Sequence, residues 1–430
     1  MKGFWASFRL ELCASVRSRA LALLTVASLA WVLAVPHVLK GDGSVVGWFE
    51  LCVRYSLGVV FALVLVSLAS SAAGSLAKDR AAKRLQLSLV RPTPHFLIAL
   101  GRMLALTAVG AFVLALAALT MALRLRPFQA DSGYGRFCDH VIEPQLASPH
   151  AAVDERLAEL RRDNPGFVEE GGEHDIRRFL LRYVTSRYET VQPGERATWT
   201  FDTASFDTAS LGDESEVSVR LRVTDVFDRL EQVDAKLRLG NREGSLAHVN
   251  KTLVKVPLDR TAEEPSAPDV LTLANDGKLA ISLCPYRDLH LLVKADAFGW
   301  NVFRAWAVLT GLLSVVIAFS LFLGSCLSRS VAIFSVVSLL VISTVSPTLV
   351  EDYPDPTGMT WLDRVSMRLT DFAVSATSPL SVYSPISDLE STTCIEWRTV
   401  GRSLGLNVVL LPLVLSWLAG LVMVRKQDGI

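Results

Sequence analysis

Six stretches of the chain, each about twenty residues long, contain no Asp, Glu, Lys or Arg. These stretches are Ala20–Leu39, Tyr55–Ala77, Met103–Leu123, Ala305–Leu327, Val331–Val350 and Leu404–Val424. A helix of this length crosses the hydrocarbon core of a bilayer, which is roughly 30 Å thick. The pattern therefore predicts six transmembrane helices, three before and three after a polar block at residues 127–300.

The number of spans has alternatives. The fourth and fifth stretches are separated only by residues 328–330, so they are expected to form a tight helical hairpin. Counts of five and seven spans compete with six. Six is favoured because an even number returns both termini to the side that their charges prefer.

Charge patterning predicts the orientation. The formal net charge is zero, but residues 127–300 hold 30 acidic and 21 basic side chains, and the remainder is basic to the same extent. Basic residues beside spans usually mark the cytoplasmic side. Residues 78–102 carry six basic side chains against Asp79 alone, and the N-terminal segment is also basic. We therefore expect both termini and this loop in the cytoplasm, and the polar block and residues 351–402 on the outer face.

The N-terminal region is interpreted as part of the membrane body. Trp5, Phe8, Leu12 and Val16 recur at helical spacing, which suits an amphipathic helix lying in the membrane interface over residues 1–18. A frayed cytosolic tail is the alternative. The first apolar stretch exceeds the core of a usual signal peptide, so it is expected to be retained as the first span.

The polar block has two parts. Residues 140–192 are predicted to be helical, with one helix through Val153, Leu157 and Leu160 and a second over residues 175–189. From about residue 193 to 297 the apolar period becomes two, and turn residues such as Gly240–Gly244 separate short runs, which is typical of a β-sandwich. The predicted strands are Ala197–Phe201, Glu216–Val223, Ala235–Leu239, Thr252–Leu258, Lys278–Leu283 and Leu289–Lys294.

These patterns predict the fold class and four segments. The fold class is an α-helical polytopic membrane protein with six transmembrane helices and an inserted extracytoplasmic α+β domain containing a β-sandwich. Residues 1–18 form the interfacial helix, and residues 19–126 hold spans one to three with the loop 78–102. Residues 127–300 form the outer domain. Residues 301–430 hold spans four to six with the outer segment 351–402.

Candidate chemistry is sparse. The six cysteines are scattered with no CxxC pair, and the histidines of the polar block lack metal-ligand spacing, so a zinc site is disfavoured. Cys138 and Cys284 flank the polar block on the side expected to be oxidising. They are read either as a disulfide or as two separate buried thiols. No basic, aromatic face for nucleic acid and no catalytic motif stands out.

The residues of the spans also indicate which energy source could drive transport. The spans lack ionisable residues at membrane depth, which disfavours an ion-coupled carrier, and the chain has no GxxxxGK[ST] phosphate loop. Any uphill transport would draw its energy from a partner. Asp79–Val90 reads as a short basic amphipathic helix that Arg91-Pro-Thr-Pro94 ends, since proline cannot continue the helical hydrogen bonding. It is interpreted either as a docking element for that partner or as an ordinary positive-inside loop.

The same loop carries a family resemblance. Leu85-Gln-Leu-Ser-Leu-Val-Arg-Pro-Thr-Pro94, followed by Ala99-Leu-Gly-Arg-Met-Leu104, resembles the cytoplasmic loop of bacterial ABC transporter permeases of the second exporter class. Ala297-Phe-Gly-Trp-Asn-Val-Phe-Arg-Ala305 and the terminus Val424-Arg-Lys-Gln-Asp-Gly-Ile430 are also similar to permeases of this class. The resemblance covers both membrane halves and does not extend over the β-rich insert.

The resemblance implies a set of partners. It implies a six-helix permease subunit in the bacterial inner membrane, paired with a second permease subunit in a homodimer or heterodimer. It also implies a coupling helix that docks on a separate ATP-binding cassette ATPase subunit, which would hold ATP and Mg²⁺. Carried onto this chain, the contact residues are Asp79, Arg80, Lys83, Arg84 and Arg91. The chain itself is then expected to be no enzyme and to hold no cofactor.

Two functions of different classes follow. The first is the permease subunit of an ABC exporter or of an envelope-remodelling complex, with membrane lipids and an extracytoplasmic accessory protein as further partners. The second is a membrane-anchored binding or scaffold protein whose outer domain recognises an envelope partner without transport. An intramembrane enzyme is disfavoured because no catalytic residues are evident at membrane depth.

Overall fold

The computed structural model places the chain in two compact units. The membrane unit contains Met1–Cys138, Asp296–Tyr353 and Thr360–Ile430, and the β unit contains Asp139–Ala295 and Pro354–Met359. The structure describes residues 2–39, 45–81, 95–146, 149–163, 173–185, 187–201, 217–222, 224–225, 232–249, 253–260, 270–278, 280–338 and 385–428.

Helices make up most of the membrane unit. Among the described residues, the helices of both units are α1 Lys2–Val16, α2 Arg19–Val38, α3 Val45–Ala81, α4 His95–Ser132, α5 Pro149–Asp163, α6 Glu173–Thr185, α7 Pro285–Asp288, α8 Phe298–Cys326, α9 Arg329–Ser338, α10 Pro385–Glu390, α11 Trp397–Leu404 and α12 Leu411–Asp428. A π-helical turn, Gly405–Leu410, joins α11 to α12 without a break in the helix.

Among the described residues, five helices are long and apolar enough to cross a membrane: Arg19–Val38, Val45–Ser75, His95–Ser132, Phe298–Cys326 and Trp397–Met423. They contain most of the predicted spans one, two, three, four and six. The start of the predicted span Val331–Val350 forms the shorter helix α9, and residues 339–350 lie outside the described residues. The fifth predicted span, and with it the count of six, therefore stays a prediction.

The helices extend beyond the charge-free stretches. Helix α3, which contains the second predicted span, begins at Val45, so residues 45–54, expected to lie in a loop, are helical. Helix α4, which contains the third predicted span, begins at His95 and continues to Ser132, past Arg124 and Arg126. Arg124 Nη2 lies 2.8 Å from His37 Nε2 near the end of α2. Charged side chains with polar partners continue a helix readily, which is why the absence of charge marks only its apolar middle.

The core of the membrane unit centres on α8, which packs against α3, α4 and α12. Its side chains are hydrophobic almost all round, as expected for a helix surrounded by others. Near its first turn, Phe298 and Tyr134 both make edge-on ring contacts with the fully buried Phe49 of α3. In contrast, Leu23, Phe112 and Trp417 expose more than half of their surface on the outside of the helices. Such an apolar exterior suits a lipid surround.

The β unit consists mainly of antiparallel strands. They are β1 Phe137–Ile142, β2 Glu189–Val191, β3 Arg196–Thr200, β4 Val217–Arg222, β5 Thr224–Asp225, β6 Gln232–Leu239, β7 Arg242–Val249, β8 Leu253–Arg260, β9 Val270–Asn275, β10 Ile281–Leu283 and β11 Leu289–Ala297. The eight-stranded sheet has the order β1-β11-β4-β8-β7-β6-β9-β3, and the three-stranded sheet has the order β2-β10-β5.

One hydrophobic cluster contains side chains from both sheets. Val219, Leu237 and Leu271 come from the larger sheet, and Val191 and Ile281 come from the smaller one. In β9, buried residues alternate with partly buried ones, as a strand with one face toward a core requires. The structure thus confirms a β-sheet region, while the sandwich arrangement stays a prediction.

The predictions for the polar block were wrong at several elements. Residues 140–142 and 189–191 belong to strands β1 and β2 and not to a helical segment, and the second helix ends at Thr185. The turn predicted at Gly240–Gly244 is shorter, because Gly240 adopts a φ of 58° and strand β7 begins at Arg242. A two-residue hairpin turn of this kind favours glycine, which reaches positive φ without steric cost. Strands β7 and β9 were not predicted.

A partly buried histidine is expected to make the β unit sensitive to acid. His290 pairs across β11 and β4 with Arg220, and its Nδ1 has no hydrogen-bond partner within the described part of the chain. Burial, followed by the nearby Arg220 charge, lowers the pKa of His290 from 6.5 to about 4, although Asp288 opposes the shift. Between these two values the unfolded chain binds a proton that the folded chain does not.

We therefore expect the folded β unit to lose stability as the pH falls from 6.5 towards 4. Replacing His290 with glutamine should remove this part of the acid sensitivity. The measurement is hydrogen exchange of β4 and β11 peptides in the full-length protein at pH 7 and pH 5, corrected for the intrinsic exchange rate. An equal loss of protection in the wild type and His290→Gln would contradict the prediction.

Candidate functional site

The predicted coupling loop begins on a membrane helix. Helix α3 continues to Ala81, beyond the apolar segment that ends at Ser75, so the backbone at Asp79 and Arg80 belongs to its last turn. The predicted separate helix Asp79–Val90 therefore has its first residues in α3. Its remaining residues, with Lys83, Arg84 and Arg91, lie outside the described residues.

The first turns of α4, directly after this loop, are held by two other helices. A Cβ added at Gly101 would lie 2.8 Å from the main-chain oxygen of Phe4 in α1. A Cβ added at Gly420 of α12 would lie 2.9 Å from the main-chain nitrogen of Phe96 in α4. Only glycine at these two positions lets the helix backbones come so close. The start of α4 therefore has main-chain contacts with both the first and the last helix.

An ion pair reinforces the contact between α1 and α4. Arg102 Nε lies 3.9 Å from Glu11 Oε2, and these side chains are only 12% and 13% exposed. Burial reduces screening by water, so the charges contribute more than an exposed pair would. The predicted N-terminal helix is confirmed as α1, and it lies along α4. Its location in the membrane interface stays a prediction.

A second group of polar contacts holds residues 385–396 against the membrane helices. Arg54 of α3 donates from Nε and Nη2 to the two carboxylate oxygens of Glu390 at 2.7 and 2.6 Å. Paired parallel hydrogen bonds of this kind are among the strongest side-chain contacts in proteins. Glu390, at the end of α10, is 8% exposed, so the carboxylate is buried while the Arg54 side chain that pairs with it is 58% exposed.

Asn301 of α8 fixes the next part of the same segment. Its side-chain amide donates to the carbonyl oxygen of Thr393 at 2.7 Å and accepts from the backbone N–H of Ile395 at 2.8 Å. Asn301 is fully buried. The two hydrogen bonds bracket Cys394, so α8 determines where the Cys394 backbone lies.

Cys394 belongs to the cysteine–arginine cluster, which consists of the buried side chains of Cys138, Arg304 and Cys394 and the partly exposed Asp296. Arg304 Nη1 donates to Cys394 Sγ at 2.8 Å, and Arg304 Nη2 pairs with the Asp296 carboxylate. Cys138 Sγ donates to the main-chain oxygen of Asp296 at 3.3 Å. The guanidinium also stacks on the Trp397 ring, 4.7 Å from its centroid, which is a cation–π distance.

The two thiols of the cluster differ in acidity. A side-chain hydrogen bond between them lowers the pKa of Cys394, and the Arg304 charge lowers it further, against the effect of burial. The same hydrogen bond, followed by burial, raises the pKa of Cys138 well above its usual range. Of the two thiols, Cys394 therefore has the more thiolate character.

The cluster revises the cysteine hypothesis. All six cysteines are free thiols in the structure, and both Cys138 and Cys284 are buried. A disulfide between these two residues stays a prediction. In the membrane unit, Cys138 shares the Asp296–Arg304 pair with Cys394, which is far away in the chain. The signal for this contact was the pair Asn301 and Arg304, which precede the charge-free stretch and lie on the buried side of α8.

No group of three or more His, Cys, Asp or Glu side chains among the described residues is arranged to hold a metal ion. Comparisons of the chain with protein-family models, with curated proteins and with solved structures gave no match.

Proposed function

We propose that the chain is the membrane-spanning permease subunit of a bacterial ATP-driven ABC exporter or envelope-remodelling complex. The observation that carries the proposal is the close packing of α1 and α12 against the first turns of α4, directly after the basic loop. A force applied at that loop would act on α3 and α4 at once, because the loop joins their ends. Through the contacts at Gly101 and Gly420 it would also reach α1 and α12.

The packing of the membrane unit supports transmission across its depth. Helices α3 and α4 are 37 and 38 residues long, and both pack against the central helix α8. At about 1.5 Å per residue, each exceeds the thickness of the hydrocarbon core. Close-packed interiors are poorly compressible, so displaced helices move their neighbours instead of yielding locally. A push at the loop is therefore expected to rearrange α3, α4 and α8 together.

The proposal includes an orientation and a set of partners. The six spans leave both termini and residues 78–102 in the cytoplasm, and the β unit on the outer face. A separate ATP-binding cassette subunit docks on Asp79, Arg80, Lys83, Arg84 and Arg91, and it holds ATP and Mg²⁺. A second permease subunit completes the complex. The charge asymmetry between residues 78–102 and residues 127–300 supports this orientation.

Charge reversal in the loop tests the docking. The triple variant Arg80→Glu, Lys83→Glu and Arg84→Glu is expected to lose association with the ATPase encoded beside this gene by tenfold or more. Three reversed charges replace attraction with repulsion at the same surface. The measurement is co-purification of the tagged chain with the ATPase, together with ATP hydrolysis by the complex in lipid nanodiscs.

The control changes the net charge equally at a distant surface. Arg156, Arg177 and Lys236 are exposed side chains of the β unit, and their ion pairs contribute little because water screens them. Their triple replacement by glutamate is expected to leave association and ATP hydrolysis unchanged. Unchanged association in the loop variant would remove the docking role.

A membrane-anchored scaffold is the second candidate, and the separate core of the β unit favours it. That core draws on two sheets and includes Leu237, Leu271 and Ile281, none of which is exposed to solvent. A domain with its own core can present a binding surface without any motion of the helices. Failure of any ATPase to co-purify with the wild-type chain, while an envelope protein does, would establish this function in place of the first.

A further inference from the structure

We propose that Cys138 and Cys394 form a reversible disulfide that fastens residues 385–396 to the start of β1 and to α8. The proposal needs no ATPase. It takes from the proposed function only the outer, oxidising location of these residues. It assigns a redox-modifiable site to a segment that is otherwise held by hydrogen bonds and one ion pair.

The geometry brings the two thiols together without help from a disulfide. Cys138 is fully buried and Cys394 is 8% exposed. Asp296 and Arg304 join them, because Cys138 Sγ lies 3.3 Å from the Asp296 main-chain oxygen while Arg304 pairs with the Asp296 carboxylate and lies 2.8 Å from Cys394 Sγ. Each thiol is also held separately. Cys138 contacts the Asp296 main-chain oxygen, and Cys394 Sγ accepts a hydrogen bond from the Arg304 guanidinium. Two buried thiols held by the same Asp296–Arg304 pair are candidates for a disulfide, because this bond requires two Cβ atoms that the fold already brings close together.

Cys394 is the thiol that reacts first with an external oxidant, because it is 8% exposed whereas Cys138 is fully buried. An external disulfide, of the glutathione type or from a thiol–disulfide oxidoreductase, is the oxidant. The Cys394 thiolate attacks one sulfur of that disulfide, and the first external thiolate leaves and takes up the proton lost from Cys394. Cys138 then loses its proton and attacks Cys394 Sγ in the mixed disulfide. The second external thiolate leaves with that proton. Two protein thiols are oxidised, and one external disulfide is reduced to two thiols.

Arg304 is the positioning residue for the first attack. Its Nη1 lies 2.8 Å from Cys394 Sγ, while Asp296 and the Trp397 ring hold the guanidinium in place. A nearby cation favours the thiolate, which is the nucleophile in disulfide exchange. Because Arg304 is 5% exposed, bulk water screens this interaction little. Arg304 should therefore accelerate oxidation most at a pH where an ordinary thiol is still protonated.

Oxidation would change how residues 385–396 are attached. In the reduced state the segment depends on the Arg54–Glu390 pair, the Asn301 amide and the contacts of the cysteine–arginine cluster. A covalent bond to Cys138 would hold Cys394 even when those contacts open. Motions of α8 and α3 that need this segment to shift would then be restricted.

The test uses the full-length protein purified in detergent under reducing conditions. After treatment with oxidised glutathione, free thiols are blocked with N-ethylmaleimide, and peptides are mapped without reduction by mass spectrometry. A peptide pair joined through Cys138 and Cys394 is expected, and dithiothreitol should separate it. Cys138→Ser and Cys394→Ser should each abolish the pair, whereas the matched variant Cys284→Ser should keep it.

Arg304 provides a kinetic readout on the same assay. Arg304→Gln is expected to slow formation of the linked pair about tenfold at pH 7 and much less at pH 9, while Arg304→Lys retains most of the rate. A linked pair of Cys138 with Cys284, or full alkylation of both Cys138 and Cys394 in oxidised wild-type protein, would overturn the proposal. A pair that forms in vitro but is reduced in cells blocked with N-ethylmaleimide would leave the disulfide standing and overturn the outer location.

Discussion

Replacing Arg54 with glutamate is expected to remove most of the folded protein. The change leaves the buried Glu390 carboxylate without its two hydrogen bonds, at 2.6 and 2.7 Å, and places a second carboxylate beside it. Removing one partner of a buried ion pair costs about 3–5 kcal/mol. Arg54 is 58% exposed, so loss of its charge alone should cost about 2 kcal/mol, and like-charge repulsion adds to this. The measurement is the monodisperse yield and melting temperature by fluorescence-detected size exclusion.

Exchanging the two charges tests whether the pair itself is responsible. The double variant Arg54→Glu with Glu390→Arg restores opposite charges and should recover part of the yield. Recovery is expected to be incomplete, because Glu50 lies one helical turn before position 54 and would repel the new carboxylate. Arg126→Glu makes the same chemical change at an exposed position of α4 and should have little effect. A double variant as damaged as Arg54→Glu would show that the pair is not the cause.

Arg54 also shows why the charge pattern did not predict the start of α3. The charge-free stretch begins at Tyr55 because Arg54 is charged, yet α3 begins at Val45. Its cation has a partner 336 residues away in sequence, and only the fold brings the two together. Local hydropathy describes the apolar middle of a span well, since transfer into lipid depends on each residue separately. It says nothing about charges that a tertiary contact neutralises.

The cysteine–arginine cluster was missed for a related reason. Cys138 and Cys284 were considered as a pair because both flank the polar block, and sequence alone offers no other basis for pairing them. In the fold, the amide of Asn301 and the guanidinium of Arg304 position Cys394 beside Cys138. Polar residues at the start of an otherwise apolar helix were the available signal, and their partners were not predictable without the structure.

In the β unit, local sequence predicted some strands well and missed another. Alternation predicted β6 and β8 close to their observed bounds, because a strand with one buried face repeats every two residues. It missed β7, Arg242–Val249, whose apolar residues are few. That strand exists because β6 and β8 flank it in the sheet and satisfy its backbone hydrogen bonds. Neighbouring strands can determine a strand that its own sequence does not.

Gly324 of α8 is the second position where a single change is expected to have a large effect. A Cβ there would overlap the main-chain oxygen of Ala73 in α3, so even alanine must push the two helices apart. Overpacking a close contact costs about 1–3 kcal/mol. Glycine to alanine within a helix ordinarily stabilises by about 0.5–1 kcal/mol, so the expected sign here is reversed. Gly324→Ala should lower the melting temperature in detergent, and Gly324→Leu should lower it further.

The matched control lies on the same helix. Gly299, near the start of α8, has no atom within 4 Å of an added Cβ, so Gly299→Ala should leave the melting temperature unchanged or slightly raised. Ala73 lies close to the end of α3 that leads into residues 82–94, the proposed docking loop. If α3 moves α8 through this contact, Gly324→Ala should also reduce ATP hydrolysis by the assembled complex, while Gly299→Ala does not. Equal melting temperatures for Gly324→Ala and Gly299→Ala would mean that the helices do not approach each other at Gly324 as closely as described.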